Sequence, residues 1–130
     1  MAQWSSSNHN NADEYVGSAL PFALHVDDVD TGTVVVITFP YVTRWIQVHA
    51  HAQDIRVGFT TNGVNGDVTN NFIVVESGEH TGRLELKCEK IFIRADSANN
   101  GQASIIAGYT NIPVRNFLAL SGSAGFSGVG

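Results

Sequence analysis

The stretch Trp45–His51 reads Trp-Ile-Gln-Val-His-Ala-His, so that apolar side chains recur at every second position. Successive side chains of a β-strand point to opposite faces, which places Ile46, Val48 and Ala50 together on one face. The other face then carries Gln47 and two histidines and is polar. An apolar face opposite a polar one is typical of a strand that covers a core on one side only. The stretch therefore predicts a half-exposed β-strand.

The rest of the chain has the composition of a sheet protein. Val, Ile and Thr account for 33 residues and Leu for only six, and β-branched side chains favour the pleated sheet over the helix. Short apolar runs recur between clusters of Gly, Asn, Asp and Ser, and helical periodicity is missing. We predict strands at about 19–25, 33–39, 43–51, 54–60, 71–76, 83–87, 90–95 and 102–110.

One break in the alternation predicts a structural change. The apolar residues of 83–88 occupy even positions, whereas Ile91 and Ile93 of the next run occupy odd positions. A strand keeps one parity unless it contains a bulge or ends. We therefore expect a bulge or a change of strand near Glu89 and Lys90.

The strand count predicts the fold class. Asn-Gly and Ser-Gly pairs between the strands supply the positive φ angles that tight turns require. Eight short strands joined in this way favour an all-β, two-sheet antiparallel sandwich, most simply a single jelly roll. The 130 residues suffice for one such domain, which we place at 15–115 between a polar N-terminal arm, 1–14, and a Gly/Ser-rich C-terminal arm, 116–130.

Composition disfavours several classes of function. Only 15% of the residues are charged, the net charge is −5 and no basic cluster occurs, which argues against nucleic-acid binding. The longest apolar run, at 34–37, is too short to span a membrane. Because the N-terminus lacks a basic region followed by an apolar one, we expect no signal peptide and synthesis in a cytoplasm. Cys88 is the single cysteine, and its surroundings predict a small buried side chain.

Both arms carry isolated apolar residues among polar and small ones. The N-terminal arm has Trp4, and the C-terminal arm has Phe117, Leu118, Leu120 and Phe126. Such segments cannot bury a core of their own, so they either fray or insert these side chains into a partner and become ordered there. The sequence leaves both readings open, and these five residues are our candidates for partner binding.

Two clusters could in principle hold a cation. His49 and His51 share a strand face and form the sharper metal candidate, but no third ligand follows at a suitable spacing, and two solvent-facing histidines are the simpler reading. Asp27, Asp28 and Asp30 resemble part of a calcium loop without its later glutamate, and an acidic turn explains them better. We predict neither a metal site nor a cofactor.

Catalytic patterns are equally weak. The serine-rich tail lacks the Gly-x-Ser-x-Gly elbow, and no phosphate-binding glycine loop is present. His80 beside Glu79 lies in a glycine-flanked turn that reads as a solvated loop. Glu85 and Glu89 alternate with basic residues, which indicates charge pairing on a polar strand face rather than a glycosidase dyad. We expect no enzymatic activity.

Aromatic residues leave one alternative open. Trp45 and Tyr41 flank Arg44, and Tyr109 lies in a later strand. Aromatic rings on a β-sandwich can stack on the apolar face of a sugar, although such residues more often belong to a core. A carbohydrate-binding or receptor-binding module of a virion therefore stays as the alternative function.

Four segments of the chain resemble small viral structural proteins that consist of a single jelly roll. They are 39–46 (FPYVTRWI), 55–64 (IRVGFTTNGV), 84–93 (LELKCEKIFI) and 107–113 (AGYTNIP). The resemblance covers residues 19–120, and such proteins are found in virions of tailed bacteriophages and of large icosahedral DNA viruses.

The resemblance implies a structural role without catalytic residues. It suggests a capsid-associated decoration, cement or minor capsid protein that forms homo-oligomers, trimers above all, and stabilises the capsid lattice. The expected partner is a major capsid protein, and the expected location is the capsid surface. Binding through the C-terminal arm would agree with the apolar residues found there.

Overall fold

The structure is a computed structural model that describes residues 20–67 and 69–113. Within these ranges the chain forms seven β-strands and one short helix. In chain order they are β1 (Leu20–Val29), β2 (Val35–Thr38), β3 (Tyr41–His51), β4 (Ile55–Gly58), α1 (Thr61–Asn65), β5 (Phe72–Val75), β6 (Lys90–Ala95) and β7 (Gly101–Pro113).

The strands form two antiparallel sheets. The first has the order β1-β7-β3 and the second the order β2-β6-β4-β5. The prediction of an all-β sandwich is confirmed. Seven of the eight predicted strands overlap an observed strand. The predicted strands 19–25 and 102–110 continue to Val29 and Pro113, whereas 33–39 and 54–60 shorten to four residues each.

The predicted strand 83–87 is not a regular strand. Segment 79–88 runs beside β3 and touches it through isolated bridges, in which the backbones of Ile46 and Leu84 exchange hydrogen bonds of 2.9 and 2.8 Å. Nearby, the Val48 N–H donates to the hydroxyl of Thr81 at 3.1 Å instead of to a backbone carbonyl. Gly82 follows with a φ of 74°. The side-chain acceptor and the left-handed glycine together interrupt the ladder.

The change expected near Glu89 and Lys90 is confirmed as a change of sheet. The carbonyl of Cys88 still accepts a hydrogen bond from the N–H of Thr43 on β3, at 3.0 Å. β6 begins at Lys90 and pairs with β2 and β4 in the opposite sheet. The change of parity therefore moves the apolar side chains of both segments toward the same core.

The pairing is nested from the ends of the domain inward. β1 pairs with β7, β2 with β6, β3 with segment 79–88, and β4 with β5. Early strands thus pair with late ones, as in a long hairpin folded over itself, which is the jelly-roll arrangement.

The core lies between the sheets and follows the predicted alternation. Ile46, Val48 and Ala50 of β3 are fully buried, while the residues between them are partly exposed. Burying one such aliphatic side chain stabilises a fold by roughly 1.5–3 kcal/mol. The opposite sheet contributes Ile37, Ile55, Val57, Val75, Ile91 and Ile93.

A single helical turn occupies the place where two Asn-Gly turns were expected. The hydroxyl of Thr60 accepts a hydrogen bond from the N–H of Gly63 at 3.0 Å, and Gly66 ends α1 with a φ of 75°. A threonine cap and a left-handed glycine are the ordinary signals of a helix start and end. α1 has five residues, and no helix in the described ranges has the length and hydropathy needed to cross a membrane.

Both ends of the described domain lie at one end of the sandwich. Leu20 pairs with Tyr109, and Pro113 pairs with Tyr41. Residues 52–54 join β3 directly to β4, so the Gly58 end of β4 lies at this same end. We call it the termini end of the sandwich.

Candidate functional site

An open apolar groove lies beside the sandwich core. Its volume is about 400 Å³, and it separates β5 of one sheet from segment 79–88 of the other. Asn70 and Asn71 contribute polar atoms to its rim. The apolar walls are formed by Ile46, Val57, Phe59, Phe72, Ile73, Leu84 and Leu86.

β5 forms one edge of this groove and lacks protective features. Among the described residues it pairs only with β4. Ile73 is 50% and Val74 43% exposed, and Phe72–Val75 contains no charged residue. A bare apolar edge offers its backbone and side chains to another strand. Its shortness, at four residues, limits how much it can bind alone.

The edge at β1 is built differently. It contains Pro21 and two adjacent aspartates, Asp27 and Asp28, and its register shifts between Val26 and Val29. Proline, charge and irregular register all oppose the addition of a strand. Of these two edges, β5 is the one suited to association.

A row of histidines crosses the exposed face of the three-stranded sheet. His25 on β1 and His51 on β3 lie on either side of Ser104 on β7, whose hydroxyl contacts Nδ1 of His25 at 2.8 Å and Nε2 of His51 at 3.3 Å. The ring of His49 lies 6.3 Å from that of His51 and 5.0 Å from that of His80. An open pocket of about 500 Å³ adjoins the first three histidines.

The two predicted histidines share a face, but each has another hydrogen-bond partner. Nε2 of His49 contacts the side-chain amide nitrogen of Gln47 at 2.9 Å, and His51 contacts Ser104. Among the described residues, no three His, Cys, Asp or Glu side chains are arranged to hold a metal ion. His80 accepts a hydrogen bond from the N–H of Gly82 at 2.9 Å, which gives it a role in its own turn.

The prediction that the three aspartates form an acidic turn is wrong for two of them, since Asp27 and Asp28 lie in β1. Asp27 lies 3.2 Å from His25, and Asp30 accepts a hydrogen bond from the N–H of Asn100 at 3.0 Å. The nearby Asp30 carboxylate raises the pKa of Asp28, because two like charges disfavour ionisation. Asp30 thus fastens the end of β1 to the loop before β7.

The aromatic candidates do not form one platform. The rings of Tyr41 and Tyr109 are 5.8 Å apart at the termini end. Trp45 pairs with Gly108 instead, and the guanidinium of Arg83 covers its ring at 5.1 Å. A sugar could stack on Tyr41, which is 38% exposed, whereas Arg83 occupies one face of Trp45.

Two of the remaining candidate residues, Cys88 and Glu85, make contacts within the fold. Cys88 is buried, as expected, and its Sγ lies 3.3 Å from the hydroxyl of Thr43. Glu85 forms an exposed ion pair with Arg83 at 2.9 Å, on its own segment rather than across strands. Trp4, Phe117, Leu118, Leu120 and Phe126 lie outside the described residues.

Sequence reasoning missed the groove and most of the histidine row. Ile73 and Val74 belong to an apolar run that reads as a buried strand, and nothing local indicates that β5 ends a sheet. His25 and Ser104 are far from His51 in the sequence and meet only through the pairing of β1 and β3 with β7. Both the groove and the histidine row become visible only once the order of the strands in the two sheets is known.

The comparisons with known proteins are sparse. No known protein family and no curated protein matches the chain. A solved subunit of the disulfide-linked pili that form Bacillus endospore appendages aligns with 85% of this chain and 98% of its own. The identity is 14% and the TM-score 0.43. A likeness this low carries no conclusion about function.

Proposed function

We propose that this chain is a non-enzymatic structural protein of a virion. It forms homo-oligomers, preferably trimers, and binds a major capsid protein at the capsid surface as a decoration, cement or minor capsid protein. The observation that carries the proposal is the apolar groove beside the bare edge of β5. The resemblance of segments 39–46, 55–64, 84–93 and 107–113 to jelly-roll virion proteins supports the choice of assembly.

The groove and edge have the properties of an association surface. Exposed apolar area that is contiguous, rather than scattered, favours contact with another protein. Ile73 of β5 and the groove walls beside it provide such area, and the low charge of the chain offers little opposition to self-association. The surface lies near the termini end, where the described chain begins at Leu20 and ends at Pro113.

Stabilisation of the capsid would follow from mass action. A protein that binds only the assembled lattice lowers the free energy of each occupied site by RT ln(1 + L/Kd), where L is its free concentration. Ordering the C-terminal arm has an entropic cost of about 1–2 kcal/mol per residue. Burial of Phe117, Leu118, Leu120 and Phe126, between copies or against the capsid, is the source of free energy that offsets it.

The oligomeric state tests the first half of the proposal. Light scattering on the purified protein should give three times the 13.9 kDa mass of one chain. A monomer that persists at high micromolar concentration contradicts the proposal.

Particle binding tests the second half. Full-length protein should co-sediment with capsids that lack it, while a variant without residues 116–130 should stay in solution. Circular dichroism must show that the shortened chain retains its sheet signal. Undiminished co-sedimentation of the folded, shortened chain would exclude the arm as the capsid-binding element.

A sugar-binding or receptor-binding module of a virion is the second candidate, favoured by the adjacent rings of Tyr41 and Tyr109. On this hypothesis, Tyr41→Ala weakens binding to a glycan array without lowering the melting temperature. Trp45→Ala serves as the comparison, because loss of the contact with Arg83 should reduce stability first. An array without hits removes this candidate.

A further inference from the structure

We propose that the groove and the β5 edge of one copy bind residues 117–120 of a second copy, which add to β5 as an extra strand. This inference rests on the proposed homo-oligomer and names the contact that builds it. The described residues supply the acceptor, and the sequence Phe117-Leu118-Ala119-Leu120 supplies the donor.

The acceptor offers both backbone and side-chain contacts. Strand addition provides main-chain hydrogen bonds, and alternate side chains of the added strand contact opposite faces. Ile73 pairs with the buried Val57 and borders the groove, whereas Val74 pairs with Arg56 on the outer face. An added apolar strand would therefore cover both exposed residues of β5.

Charge agrees with this choice of donor and suggests its direction. Neither Phe72–Val75 nor residues 117–120 carry a charge, so no ion loses its hydration when they meet. Arg115 is the single charged side chain of residues 114–130, and Glu76 directly follows β5. Antiparallel addition brings these opposite charges to the same end of the pair.

The reach of the chain favours a second copy over the same copy. The four Cα–Cα steps from Pro113 to residue 117 span at most about 14 Å. In antiparallel addition residue 117 lies beside Val75, at the end of β5 far from the termini end, because Phe72 pairs with Gly58. β7 faces β4, so the added strand lies about two strand spacings sideways, one sheet spacing across and the length of β5 back from Pro113. With spacings of about 4.8, 10 and 3.3 Å, these combine to roughly 17 Å. The edge of the same copy is therefore out of reach, whereas a copy that packs against the termini end can present its edge directly.

The geometry of this contact also allows the assembly to close. The donor and the acceptor are different surfaces, so the contact is heterologous and can close into a ring. A ring of three copies satisfies every donor and every acceptor. Residues 121–130, with Phe126, are then left for the capsid.

A pair of matched lysine variants tests the acceptor. Val74→Lys places a charge on the β5 edge, and Val36→Lys places the same charge on β2, the opposite edge of the same sheet. The two valines are similarly exposed, at 43% and 47%. We expect a threefold fall in mass by light scattering for Val74→Lys and no change for Val36→Lys, with the sheet signal in circular dichroism retained by both. Trimers of folded Val74→Lys, or equal effects of the two variants, overturn the inference.

Mixing two defective chains tests exchange between copies. A chain without residues 114–130 keeps its acceptor, and full-length Val74→Lys keeps its donor. Each should be monomeric alone, and together they should form a one-to-one pair. If both are monomeric and no pair forms, donation between copies is wrong, although the arm can still bind capsids. A wild-type monomer, in contrast, contradicts the oligomer itself and with it the proposed function.

Discussion

Cys88 and Thr43 form a buried polar contact between segment 79–88 and β3. The hydroxyl of Thr43 donates to the carbonyl of Leu86 at 2.7 Å and accepts from the N–H of Cys88 at 3.0 Å. Burial raises the pKa of the Cys88 thiol, its contact with the Thr43 hydroxyl opposes the rise, and the nearby Glu89 carboxylate adds to it. The folded protein therefore favours the neutral thiol.

This preference predicts a loss of stability in alkaline solution. A thiol whose pKa is raised by folding contributes stability that is complete below the unfolded pKa of about 8.5 and is lost as the pH rises through the folded value. Urea unfolding of wild type and Cys88→Ala should show wild type to be the more stable at pH 7. The difference between the two free energies of unfolding should shrink between about pH 8 and 10. Because other groups titrate equally in both chains, a constant difference would contradict a shifted thiol.

At the scale of elements, sequence patterns predicted where strands lie better than which partners those strands have. The predicted strand 90–95 coincides with β6, because its three alternating buried residues and its charged residues can be recognised from the segment alone. Segment 79–88 carries an equally clear alternation, yet Thr81 and Gly82 break its ladder with β3. The sequence did not predict helix α1 because Thr60 and Gly66 fit a turn as well as the caps of a helix. The helix is selected by packing: Val64 lies over Gly58, where a Cβ added to the glycine would be 3.2 Å from the Cβ of Val64.

Arg56 fastens α1 to the four-stranded sheet. Its Nε donates to Asp96 at 2.8 Å, and its Nη1 donates to the carbonyl of Asn65 at 2.8 Å. The guanidinium also lies 4.2 Å from the ring centre of Phe72. One planar group thus satisfies a carboxylate and the end of a helix at once.

Arg56→Lys is accordingly a disruptive change. An ammonium group cannot reach both acceptors and stack on Phe72, so we expect a loss of about 1–2 kcal/mol in the free energy of unfolding. Arg83→Lys is the control, since its ion pair with Glu85 is exposed and should matter by less than about 0.5 kcal/mol. Chemical denaturation of both variants measures this. Similar losses would show that the contacts of Arg56 add nothing specific.

At the scale of the whole molecule, the sequence predicted the sandwich but not its surfaces. Fold class follows from β-branched residues, alternation and turns, all of which act over short distances. The histidine row and the groove depend on which strands are neighbours, and that depends on contacts between distant parts of the chain. Ile73 and Ile93 look alike in sequence, yet one is 50% exposed and the other fully buried. Position in the sheet decides between them.

The nested pairing of early with late strands has a consequence for the order in which the chain can fold during synthesis. Of the described strands, β7 is the last to be translated, yet it lies at the centre of its sheet, between β1 and β3. These two strands have no regular partner until β7 leaves the ribosome, so the domain cannot fold progressively from its N-terminus. A nascent chain that ends at Asn100 should therefore be digested by protease at low concentration, whereas one that exposes Pro113 should resist. Protection of the shorter chain would mean that the four-stranded sheet forms by itself.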